Sequence, residues 1–132
     1  MIVVRNSQLD KQTLESINLL LDLNLPAAVA FKMMRIVKEI SSLIDDKILL
    51  EKKIVDRFTE KDEFGNIVQA LDENGNIVPN SIKLTDVEKF NLEVEELNSI
   101  ENNIPYEKIN FEDLKLEMVK VKDLMRLEFL FN

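Results

Sequence analysis

Asp72, Asn74 and Asn76 alternate along the chain as oxygen ligands do in a calcium-binding loop. Such a loop places oxygen ligands at alternate positions, turns on a glycine at its sixth and closes on an acidic ligand at its twelfth. Counted from Asp72, the glycine is the fourth residue, Gly75, and the twelfth is Lys83. The pattern therefore lacks both the turn and the closing carboxylate of a cation site. Paired carboxylates also occur at Asp45-Asp46 and Glu95-Glu96. Adjacent residues on a helix point to different faces, so neither pair converges on one substrate.

The sequence holds no His and no Cys. That removes Ser-His-Asp and Cys-His devices, thiolate nucleophiles, disulfides and the commonest metal ligands. The two glycines, Gly65 and Gly75, stand ten residues apart, so no glycine-rich phosphate loop or dinucleotide fingerprint can be written. Tyr106 is the single tyrosine and there is no Trp, which leaves few rings for nucleotide bases to stack on. The sequence thus predicts no catalytic, cofactor-binding or metal-binding residue, and a chain that is not an enzyme.

Charge points the same way. The net charge of −8 opposes general binding to a phosphate backbone, which needs clustered Lys and Arg. Residues 26–62 carry eight basic and seven acidic side chains, whereas residues 63–132 carry seven basic and fifteen acidic. The acidity lies in the second half, either as a solvated surface or as a face that docks a basic partner. No signal peptide and no run of about 20 apolar residues is visible, so a soluble, intracellular protein is expected, without nucleic acid or membrane as partner.

The elements that would position these residues follow from pattern and punctuation. With only two glycines in 132 residues, most of the chain is expected to be regular structure. Residues 1–25 read as a strand at Ile2–Val4 and a first helix to about Leu23. Asp10 is its N-cap, with Leu9 and Leu14 placed as a hydrophobic staple. Residues 26–62 read as a long amphipathic helix, opened by Pro26, of about 35 residues and about 50 Å. Ser41-Ser42 and Asp45-Asp46 are the points where it would break. Met33-Met34 reads as core filling or as an adaptable contact patch.

Residues 63–81 contain an internal repeat. Asp62-Glu63-Phe64-Gly65-Asn66-Ile67-Val68 returns as Asp72-Glu73-Asn74-Gly75-Asn76-Ile77-Val78, identical at six of seven positions. Asp-Glu-Asn-Gly between β-branched runs signals a type I turn with a glycine bulge. It predicts a β-hairpin pairing Asn66–Leu71 with Asn76–Asn80, while Gly65 punctuates the exit from the long helix. Residues 85–102 read as a helix with a capping box, Thr85 at the cap and Glu88 at its third position. Its narrow apolar stripe suits packing along the long helix. Residues 104–132 read as a strand at 106–112, pairing with Ile2–Val4, and a short C-terminal helix whose Phe129, Leu130 and Phe131 close the core or form a docking tail.

The expected fold is therefore α+β and predominantly helical, one domain over residues 1–132. A long antiparallel helical hairpin would carry a β-hairpin at its tip and a small terminal strand pair. The candidate interaction surface comprises the tip, Asp72, Glu73, Asn74 and Gly75, and the acidic side chains Glu88, Glu93, Glu95, Glu96 and Glu101.

The order of motifs carries a resemblance. Leu23–Lys32 opens a long charged helix that ends in Glu60–Ile67; an Asn-Gly hairpin, Val87–Leu97 and a closing Asp123–Leu130 follow. This resembles a family of small, uncharacterised proteins of tailed bacteriophages and prophages of low-GC hosts. The resemblance implies a virion component, an assembly factor or an inhibitor of a host system, in the host cytoplasm during infection or on the virion. It also implies a phage-encoded protein partner or a homo-oligomer, and transfers no functional residue. In shape the expected fold is similar to a prefoldin subunit, from which the terminal strands and helices depart.

Overall fold

In the computed structural model, residues 1–115 and 120–132 are described. The expected domain is laid out as two compact units, Met1–Lys47 with Asn98–Asn132, and Ile48–Leu97.

In the first unit, Ile2–Arg5 forms strand β1, whose alternation buries Ile2 and Val4 and exposes Val3 and Arg5. A 3-10 turn at Asn6–Gln8 leads to helix α1, Lys11–Leu21. Asp10 caps α1 as its sequence predicts: the carboxylate accepts the Thr13 N–H at 2.8 Å. That bond satisfies one of the orphan donors of the first turn. Helix α2, Ala27–Phe58, is unbroken at Ser41-Ser42 and Asp45-Asp46. Pro26 stands just before it and its carbonyl accepts the Ala30 N–H, which suits a residue with no N–H to donate. Met33, Ile36, Ile40 and Ile44, spaced by three and four, are buried along one stripe; Met34 is half exposed.

The partner of β1 is strand β2, Glu101–Ile104, antiparallel with Ile2 opposite Ile104 and Arg5 opposite Glu101. This corrects the expected pairing with residues 106–112. Helix α3, Val87–Ser99, ends earlier than residue 102, and the chain turns straight into the sheet. The Asn102 amide donates to the Val4 carbonyl and the Asn6 side chain, and Pro105 ends the strand. Residues 106–112 form no strand: Ile109 makes a single parallel bridge to Phe131, and Phe111–Leu114 is a 3-10 turn. The C-terminal helix is α4, Val121–Arg126, followed by a 3-10 turn at Glu128–Leu130. Phe129 and Leu130 are buried, as closure of the core requires. Part of the expected 104–132 segment, residues 116–119, lies outside the described residues.

Ile2, Ile17, Met33, Ile36, Ile104 and Leu127 are fully buried in this unit's core. Each side chain so removed from water contributes about 1.5–3 kcal/mol before the entropy of ordering is charged against it.

The second unit has a smaller core of Ile54, Phe58 and Leu97, flanked by Leu84, Phe90 and Val94. Phe58 and Phe90 meet edge to face, with centroids 6.0 Å apart. Helix α2 stops at Phe58, short of the expected residue 62, where Thr59 turns its hydroxyl back onto the Val55 carbonyl. The cap of α3 also shifts by one residue. Asp86, not Thr85, receives the Lys89 N–H, at 3.0 Å. Thr85 is engaged elsewhere, its N–H bonded to the Phe58 carbonyl.

Candidate interaction surface

Residues 59–84 of the second unit form two turns built alike. Asp62 Oδ1 accepts the N–H groups of Phe64 and Asn66, each at 2.9 Å. Asp72 Oδ1 accepts those of Asn74 and Asn76, also at 2.9 Å. In each turn the glycine N–H bonds the aspartate carbonyl, and the aspartate N–H bonds the carbonyl of the following asparagine. Gly65 and Gly75 take φ of 81° and 82°, where a side chain is strained. The predicted type I turn with a bulge is therefore present at Asp72–Gly75, and its copy occupies Asp62–Gly65. Gly65 does more than punctuate a helix: it completes a second turn.

The expected ladder of Asn66–Leu71 with Asn76–Asn80 is replaced by isolated bridges, Leu71 to Ile77, Lys61 to Ile67 and Thr59 to Leu84. The physical reason is a ring of backbone bonds that ties three separate segments together at single points. Glu60 N–H bonds Lys83 O at 2.8 Å, Lys83 N–H bonds Val68 O at 2.8 Å, and Val68 N–H bonds Glu60 O at 2.9 Å. Ser81 supplies a further closure: its hydroxyl accepts the Ala70 N–H at 3.0 Å and donates to the Val78 carbonyl at 2.6 Å. A side-chain hydroxyl thus stands where a ladder rung would be.

This framework leaves apolar side chains in water. Phe64 is 80% exposed, and Ile67, Leu71 and Ile77 are exposed by 58%, 59% and 63%. The last three line a cavity of about 750 Å³ together with Val68 and Ile82. Lys83 at its edge is paired with Glu60 at 3.2 Å. Asp72, Glu73, Asn74 and Gly75, the expected tip, are all exposed.

The acidic candidates have different surroundings. Glu88, Glu95 and Glu96 are exposed on α3. Glu93 is partly buried and holds Arg57 through both carboxylate oxygens, at 2.8 and 2.7 Å. Glu101 belongs to the other unit and pairs with Arg5 at 3.4 Å.

The sequence reading missed two buried polar contacts of the first unit. Lys47 Nζ donates to the carbonyls of Asn6 and Leu9, at 2.7 and 3.1 Å. The Ser16 hydroxyl bonds Asp123 Oδ1 at 2.8 Å. Both had a signal, because Lys47 continues the buried stripe of α2 and Asp123 shares a helical face with Leu127. Their bonds staple elements together.

Among the described residues there is no cluster of three or more acidic side chains placed to hold a metal ion. No described helix is long and apolar enough to cross a membrane. No protein-family model, curated protein or solved structure matches the chain.

Proposed function

We propose that this protein is a non-catalytic component that works by binding another protein, in the structure or assembly of a tailed bacteriophage. The carrying observation is the cavity beside the paired turns, where Ile67, Leu71 and Ile77 stand exposed on a framework fixed by its own hydrogen bonds. Exposed apolar side chains gathered round one concavity mark a contact site more often than they serve a monomer. In this reading the end of α2 and helix α3 form an antiparallel helical hairpin, supported by the Ile54, Phe58 and Leu97 core, and the paired turns are its tip. The order of motifs that resembles phage proteins supplies the setting, with the protein on the virion or in the infected cytoplasm.

The test is reciprocal affinity purification from phage-infected cells, with light scattering on the pure protein. Recovery of the same phage-encoded partner from both directions is expected, and its loss in Leu71→Asp. A strict monomer that retains no virion protein would overturn the proposal.

The competing reading is a small acidic inhibitor of a host defence or nucleic-acid-processing protein, with Glu88, Glu93, Glu95, Glu96 and Glu101 mimicking phosphate. Glu93 and Glu101 already engage Arg57 and Arg5, which favours the first reading. Neutralising Glu88, Glu95 and Glu96 separates the two: an inhibitor loses its target, whereas the contact at Leu71 is unaffected.

A further inference from the structure

The backbone around the cavity has an unused edge. Val68 and Ala70 direct their N–H and C=O groups to Glu60, Lys83, Val78 and Ser81. In a chain running this way, successive residues present their backbone groups to opposite edges. Ile67, Gln69 and Leu71 fall on the other edge, and among the described residues none of their backbone N–H or C=O groups is hydrogen-bonded. An exposed edge with alternating free donors and acceptors is a template for a further strand.

The charge around that edge narrows the occupant. Residues 60–76, which supply the free edge and both turns, carry Glu60, Asp62, Glu63, Asp72 and Glu73 against Lys61 alone; Asp62 lines the cavity, and so does Lys83, which is held by Glu60. A second copy would bring the same acidic turns against these. A basic segment would be drawn in.

We propose that residues 67–71 bind an extended segment of another protein in which apolar residues alternate with Lys or Arg. The segment adds as a strand to the free edge, seats its apolar side chains against Ile67, Leu71 and Ile77, and places its cations by the acidic turns. This rests on the protein-binding reading and names its mode.

The probe is a labelled octapeptide of alternating Lys and Val, titrated against the full-length protein and followed by anisotropy and amide NMR. Saturable binding is expected, with slowed hydrogen exchange at Ile67, Gln69 and Leu71. Leu71→Asp and Ile77→Asp, both at exposed positions, should each weaken it at least tenfold while far-UV circular dichroism is unchanged. Glu63→Lys with Glu73→Lys should weaken it about tenfold, and a Glu-Val octapeptide should not bind. N-methylation of alternate peptide amides should abolish binding. No perturbation at these amides, equal binding of the Glu-Val peptide, or a dimer of this chain dissolved by Leu71→Asp would each overturn the proposal. If the peptide fails while a phage partner is still captured reciprocally, strand addition falls and the protein-binding function stands.

Discussion

The Ser16 hydroxyl donates a 2.8 Å hydrogen bond to the Asp123 carboxylate, joining α1 to α4 across 107 positions of sequence. Both residues are nearly inaccessible, Ser16 at 1% and Asp123 at 6%. A buried carboxylate is tolerated only with partners, and Arg126, 3.9 Å away at the edge, is its second. Replacing Ser16 by Ala should lower the unfolding free energy by about 1–3 kcal/mol, read from urea denaturation. Asp123→Asn keeps an oxygen for Ser16 and should cost less than Asp123→Ala. An Asp123→Ala protein as stable as the parent would show that the bond does not join the helices.

Lys47 closes the chain in the same manner from the other side of charge. Its ammonium satisfies the Asn6 and Leu9 carbonyls at the turn between β1 and α1. Lys47→Met keeps the stem packed and removes the donor. The expected loss is about 1–3 kcal/mol, and it should appear as faster amide exchange at residues 6–10 before any loss in α2.

The paired turns predict an order of substitutions set by backbone conformation alone. A Cβ added at Gly65 or Gly75 would meet nothing within 4 Å, so its cost is the positive φ and not a clash. Gly75→Ala should destabilise the turn by about 1 kcal/mol, and Gly75→Asn by less, since Asn tolerates that region better. Asp72→Ala removes the acceptor of two N–H groups and should release the exchange protection of Asn74 and Asn76. Global stability should change little in all three.

The unequal cores predict unequal resistance to unfolding. The Ile48–Leu97 unit buries Ile54, Phe58 and Leu97, against the much longer buried set of the other unit. Phe58→Ala should cost about 3 kcal/mol and expose amides of residues 85–97. Ile36→Ala should act on the other unit, with a loss of about 2–4 kcal/mol. Identical exchange patterns for the two variants would mean that the chain unfolds as one.

What the sequence disclosed tracks how local each cause is. The Asp10 cap, the strand at Ile2–Val4, the stripe of α2 and the glycine turn depend on neighbours within a few residues, and all were legible. The partner of β1 was not, because Ile109 and Phe111 alternate as a strand does while Glu101–Ile104 reads polar. The observed pairing buries Ile104 opposite Ile2 and is tied by Asn102, whose amide reaches Val4 and Asn6 nearly a hundred residues away. The ring of Glu60, Val68 and Lys83 was hidden for the same reason: three segments must meet before any of its bonds exists. The exposed cavity inherited that blindness. Its residues read as a hairpin, and a hairpin ladder would have paired them.

Each of the two turns holds itself with its own aspartate, and that has a meaning for change over time. Within the repeat the single difference is Phe64 against Asn74. Both turns use only the backbone N–H at that position, and Phe64 projects its ring into water. Exchanging the two side chains should leave the fold as it was. Positions 64 and 74 are therefore free to drift toward a new specificity while the aspartate and glycine of each turn keep its frame intact.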